Sequence, residues 1–412
     1  MVDGMDVVVA SYVAPRIIEE WAVSSQTFGM VFSSALLGMA AGAMFISPYT
    51  DVIGRRNMVL ICIVIVSLGM FLTAFAQTVP QLALLRLFTG LGIGSMLASL
   101  TSLTYEYSPA SRRNLAISFV LSGYPVGAML TGLMAAWLIP EFGWRSMFYA
   151  GAVLSILLLP VVFVLLPESL EFLLTKQPST ALTRANRILQ RLKLDPLNCL
   201  PDRTASQVNN VKTDSLTGNI RLLLTPDRAK ATLRLWLAFF MAFFTLYFLL
   251  SWIPKIAEGT GLSPVQGSYA GAVFNLGSFF GIVFLGHLSA RFGLKRIIFA
   301  FMVLSAVLMV IFGVFRLPLV IFMCILFVLG FFVQGGFVGL YSVAARLYPV
   351  EIRTTGIGWG IGLGRFGAII APALGGLAIG LELPVAVIFV LFAIPFIIAG
   401  YAEMGIKNSN LD

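Results

Sequence analysis

Apolar runs of about twenty residues, separated by short polar clusters, recur along almost the whole chain. They lie near 27–49, 58–77, 81–105, 114–139, 144–166, 232–254, 265–289, 296–314, 318–342, 355–380 and 384–402. At ~1.5 Å of rise per residue, ~20 residues cross the ~30 Å hydrocarbon core of a bilayer, so each run predicts a transmembrane helix. Residues 1–15, ending at Pro15, are also apolar but reach only ~22 Å. They hold Asp3 and Asp6 and no basic leader, which sets them apart from a signal peptide. We expect a first helix truncated at its N-terminus; a short helix that thins the bilayer locally is the alternative.

Residues 167–231 are the one long polar break, with Pro167, Pro178, Pro196, Pro201 and Pro226 and an amphipathic stretch, Ala181 to Leu194, whose Arg184, Arg187 and Arg191 share a face. This break predicts a six-helix bundle over 1–166, a cytoplasmic linker over 167–231, a second six-helix bundle over 232–403 and a tail over 404–412. The halves match at an offset near 240 residues: Arg55-Arg56 with Lys295-Arg296, Gly54 with Gly293, Pro109 with Pro349, Arg113 with Arg353, and Gly127 with Gly367. Duplicated six-helix halves predict an all-α membrane protein with a pseudo-two-fold axis along the membrane normal and a site between the halves.

Composition excludes the other broad classes. Hydrophobic residues make up 59% of the chain and charged ones 11%, against about 25% charged in soluble domains. The net charge of +9 would suit nucleic acid, but its distribution argues otherwise. With the N-terminus in the cytoplasm, the arginines and lysines at 55–56, 112–113, 176–234, 291–296, 346–353 and 407 all fall inside, and only Arg16, Arg145, Lys255 and Arg316 fall outside. That is the positive-inside bias of an inner-membrane protein with both termini in the cytoplasm. The central polar segment is expected to lie on anionic headgroups. Cys62, Cys199 and Cys324 have no paired spacing, and His287 is the only histidine, so neither a metal site nor a cofactor is expected. A membrane-embedded enzyme would need a His/Asp or Ser/His pair. A channel would need a pore ring from an oligomer, which the duplication makes unnecessary, so a monomer is expected.

Several motifs, in order, resemble those of the major facilitator superfamily. Asp51-Val-Ile-Gly54-Arg55-Arg56 is similar to the turn between its second and third helices, and Gly286 to Arg296 to the second copy of that turn. Arg86 to Gly94 resembles its fourth helix, Gly123 to Gly127 its fifth, Pro167-Glu168-Ser169 the end of its sixth, and Tyr348 to Gly356 the turn before its eleventh. Asp3-Gly4-Met5-Asp6 looks like the DGxD signature of the aromatic acid:proton symporters. Two departures stand in the first turn: Ser47 replaces a glycine and Val52 a basic residue. The resemblance implies secondary active import of a small organic acid by proton symport and alternating access. The cargo would be an aromatic acid such as benzoate or a hydroxybenzoate, or the related dicarboxylate cis,cis-muconate. A symporter of a sugar or other neutral metabolite is the alternative.

Ionisable residues inside a bilayer are costly and therefore usually functional. Asp3 and Asp6, three apart, share a helical face, and mutual repulsion with burial suits one of them to carry a proton. Counting rise from the helix ends puts Arg86 within reach of Asp6; the pair is either the coupling element or a structural ion pair. Gly4, Gly90 and Gly94 let helices approach closely. Arg365 falls near the midplane, where a planar guanidinium suits a carboxylate; a salt bridge to the first helix is the alternative. Tyr124, Tyr247, Asn275 and Gln334 are candidates to complete the pocket, within a wider aromatic set that includes Phe244, Trp252, Tyr341 and Trp359. For each aromatic, packing competes with contact. A dicarboxylate would need a second donor, with Arg86, Gln334 or Asn275 as candidates. Asp51, Gly54, Arg55, Glu106, Arg113 and Arg353 are expected to form a cytoplasmic gate, whose charge pairs latch and release as the halves rock; topology alone would also place the arginines there.

Overall fold

The computed structural model describes residues 1–109, 113–200, 223–315, 318–348 and 350–406, with the side chains of Asp51, Arg113 and Arg353 outside the described set. Among these residues all regular structure is helical. The first half holds α1 (Val2–Glu20), α2 (Ser25–Ala41), α3 (Arg55–Thr73), α4 (Val79–Tyr107), α5 (Arg113–Phe142) and α6 (Arg145–Leu165). Two short helices follow, α7 (Leu170–Lys176) and α8 (Ala181–Arg191). The second half holds α9 (Pro226–Gly259), α10 (Pro264–Phe292), α11 (Leu294–Val314), α12 (Leu319–Leu347), α13 (Val350–Gly380) and α14 (Val385–Met404). Eleven of the described helices are long and apolar enough to cross a bilayer. In lipid every backbone amide must be satisfied internally, which is why long apolar runs become helices.

One expectation is corrected. The first helix does not end at Pro15: α1 continues to Glu20, a length of ~28 Å, with Pro15 inside it. An interior proline costs ~3 kcal/mol, and tertiary contacts beyond it offset that. Ile17 is fully buried. The Glu20 carboxylate accepts hydrogen bonds from Trp144 Nε1 at 2.7 Å and from Arg145 at 3.1 Å, and Trp21 meets Trp144 edge-on. Helix α9 starts at Pro226, the favoured proline position in a first helical turn, inside the span expected for the linker. Within it, Ala181, Ala185 and Ile188 of α8 bury against Leu173 of α7, while Arg184, Arg187 and Arg191 stay exposed.

The duplication extends to backbone contacts. Gly38 sits so close to the Leu87 carbonyl, and Gly277 to that of Phe327, that a Cβ on either would overlap it. Gly90 on Ala35 matches Gly330 on Phe274, and Gly127 on Met1 matches Gly367 on Phe240. Gly54 and Gly293, which start α3 and α11, share one backbone conformation, φ 101° and ψ 147° against φ 88° and ψ 139°. The positive φ there excludes most side chains.

At one end the halves are closed on each other. Ser33 of α2 donates to the Ile369 carbonyl of α13 at 2.6 Å, Phe32 packs edge-on against Trp252, and Tyr12 of α1 fills the gap between Gly132 and Gly271. Toward the other end, which carries Arg55, Arg56 and Arg346, the halves splay around a cavity of about 1960 Å³.

Candidate functional site

Both halves line the cavity: Asp3 from α1, Tyr124 from α5, Tyr247 from α9, Gln334 and Tyr341 from α12, and Arg365 from α13. The rest of the wall is mostly aliphatic and aromatic. Arg365 is half-buried, and its charge acts on Asp3, Tyr247 and Tyr341. Among the described residues it makes no hydrogen bond or ion pair. Asp3 Oδ1, the Tyr124 hydroxyl and Gln334 Oε1 are likewise buried without a partner among the described residues. Buried polar groups are nearly always paired in folded proteins, so this cluster is equipped to bind a polar ligand. Phe243 stacks with Tyr247 and meets Phe337 edge-on in the wall, an aromatic surface beside the polar cluster.

The two aspartates separate. Gly4 seats α1 directly on the Tyr124 carbonyl of α5, which leaves Asp3 on the cavity and turns Asp6 inward to α4. There Arg86 Nη1 donates to Asp6 Oδ1 at 2.6 Å and Nη2 to Oδ2 at 3.0 Å, with side chains 0% and 1% exposed. Gly90 and Gly94 pack α4 on Ala35 and Met39 of α2 and hold it at that depth. Arg86 is thus paired with Asp6 and does not line the cavity, which corrects its place as a second carboxylate donor.

Asn275 is corrected too. It is 3% exposed, donates to the Gly271 carbonyl at 2.9 Å and sits beside Tyr12, in the helix contact at the closed end. Gly364 and Gly367, flanking Arg365, leave no room beside it, since they pack on Phe243 and the Phe240 carbonyl of α9. Trp252 donates to the Pro372 carbonyl and Phe244 stacks on Phe392, so both pack rather than line the cavity.

At the basic end, Arg55 Nη1 donates to Glu106 at 2.6 Å and to Ser169 at 3.1 Å, and Nη2 donates to Glu171 at 2.9 Å. Glu168 accepts from the Arg56 amide at 3.0 Å and crowds Gly54. All these residues belong to the first half or to the linker against it. They therefore brace one half internally, and among the described residues none of them pairs with the second half. Glu168, Ser169 and Glu171 were missed as partners, although acids three apart at the start of the polar break were a visible signal.

The family comparison decides the class. A model of the Major Facilitator Superfamily matches residues 1–254 and 235–405. The chain belongs to that superfamily. It is accordingly a multi-pass membrane transporter, not an enzyme. It is 32% identical over 413 residues to the gallate transporter of Pseudomonas putida, covering 99% of this chain and 90% of that one. It is 30% identical over 401 residues to the 4-hydroxybenzoate transporter PcaK of Acinetobacter baylyi, covering 97% and 87%. The inward-open xylose transporter XylE of E. coli shares the fold, with a TM-score of 0.73 at 16% identity, covering 99% of this chain and 93% of that one.

Proposed function

We propose that this transporter imports a small aromatic carboxylate into a bacterial cell by proton symport, with the basic end in the cytoplasm. The observation that carries the reading is Arg365, a guanidinium without protein partners among the described residues, set in an apolar cavity beside Asp3, Tyr124 and Gln334. A fork-shaped cation fits a carboxylate, the aromatic wall fits a ring, and the unpartnered hydroxyl and amide fit ring substituents. A neutral sugar would leave that guanidinium unmatched. The curated relatives that carry gallate and 4-hydroxybenzoate support the same class. Muconate is the weaker reading, because Arg86 is held by Asp6 and Asn275 lies outside the cavity, which leaves Gln334 as its second donor.

In this reading the two carboxylates have different parts. Asp3 is reached from the cavity and takes or gives the proton, while Asp6 and Arg86 hold α1 against α4. Protonation of Asp3 removes a negative charge that acts on Arg365 and leaves its positive charge to the substrate anion, so proton and acid bind together. The cavity opens to the basic end and is closed opposite, the inward-facing phase of alternating access. One chain supplies both walls, so a monomer suffices. The test is uptake of labelled benzoate, 4-hydroxybenzoate, gallate, muconate and xylose by purified protein in liposomes, with an acidic exterior. Aromatic acids should accumulate, and a protonophore should stop it. Accumulation that ignores the protonophore would refute symport, and xylose as the preferred cargo would refute the substrate class.

A further inference from the structure

The geometry points to a second carboxylate-binding station at Arg346, in the mouth of the cavity, which receives the substrate anion as it leaves Arg365. The inference rests on Arg365 being the anchor. One face of α12 forms a continuous strip of the cavity wall, through Gln334, Val338, Tyr341 and Ala345, and Arg346 ends it. Tyr341 and Arg365 line the same cavity. Arg346 is five residues further toward the basic end, ~7.5 Å along the axis. A benzoate-sized acid moving outward along this strip exchanges one guanidinium for the other.

Arg346 is also available. It is exposed, and among the described residues it makes no hydrogen bond or ion pair. The duplication sharpens the point. The equivalent position in the first half is Glu106, held by Arg55, Ser169 and the Glu171 amide. In the second half the sign is reversed, and the matching turn, Lys295-Arg296, is basic as well. Among the described residues Asp3, Arg346 and Arg365 are the acidic and basic side chains that line the cavity. Both cations thus lie along the route out, with low-dielectric walls that focus their field. Topology explains a basic residue on the cytoplasmic face, but not its place in the strip that Gln334 and Tyr341 share.

The test uses Arg346→Gln and Arg346→Lys in liposomes, with benzoate as the probe and transport measured separately from each face. Arg346 is exposed and makes no hydrogen bond or ion pair among the described residues, so both variants should keep the fold. Because the mouth is wet, the effect should be modest. In Arg346→Gln, KM at the cytoplasmic face should rise about two- to fivefold while the external KM stays unchanged, and Arg346→Lys should restore most of it. The difference should vanish near 1 M salt, where the Debye length is ~3 Å. An unchanged cytoplasmic KM overturns the station. Equal loss at both faces also overturns it, because Arg346 would then belong to the main site. Wild-type protein that binds no benzoate at either face sinks the substrate reading itself, a result visible without any variant.

Discussion

Arg365→Ala separates binding from folding. Among the described residues the guanidinium makes no hydrogen bond or ion pair, so its removal should change unfolding stability by no more than about 0.5 kcal/mol. A charge-assisted bond to a carboxylate contributes about 1.5–3 kcal/mol, which corresponds to a loss of about 10- to 150-fold in benzoate affinity. Arg365→Lys keeps the charge but loses the planar fork and should fall between the two. Calorimetric titration of benzoate into purified protein reads this directly, whereas uptake would also fall with a coupling defect. Thermal unfolding of the same samples supplies the second axis. If Arg365→Ala binds benzoate as tightly as the parent, the anchor lies elsewhere and the substrate class loses its main physical support. If instead it unfolds several degrees lower, Arg365 serves as an internal counter-ion, the salt-bridge alternative to a substrate site.

Three further outcomes follow from the same geometry. Asp3→Asn should abolish accumulation driven by a proton gradient yet preserve benzoate exchange at equal pH; net gradient-driven uptake by this variant would remove Asp3 from the coupling step. Arg86→Met leaves Asp6 buried without its partner and should cost about 3–5 kcal/mol, much of it recovered in the double variant with Asp6→Asn; purely additive losses in an unfolding cycle would show that the pair does not act as a unit. Gly281→Ala would drive a Cβ to 2.0 Å from the Phe331 carbonyl, so α10 and α12 must part at a cost of about 1–3 kcal/mol; an unchanged unfolding temperature would mean that this contact is not as tight as described.

The spans and the repeat were legible because lipid imposes strong rules. Backbone satisfaction forces helices, and close backbone packing forces glycines to recur at matching positions, as Gly38 and Gly277 do. Side-chain direction was less legible. Asp3 and Asp6 do share one sector of α1, but neighbouring directions suffice to give one the cavity and the other Arg86. Asn275, a polar residue in an apolar run, suits a binding wall or a helix contact equally, and only Tyr12 arriving from α1 settles it. The same holds for Pro15, whose helix survives because Glu20 meets Trp144 and Arg145 from a distant part of the chain. Such partners are fixed by the assembled bundle, and no local pattern announces them.

The brace around Arg55 has a mechanical consequence. It ties the turn before α3, the end of α4 and the first turn of α7 into one piece, and α7 in turn carries α8 on its apolar face. These parts must swing as a single lever with the first bundle. The rim of the first half is therefore stiff, and any movement of one half against the other falls to where α2 meets α13 and α5 meets α10. Those are glycine-lined seams, crossed by no ion pair among the described residues. A transporter built this way spends its charges on rigidity within a half and leaves the joint between halves smooth.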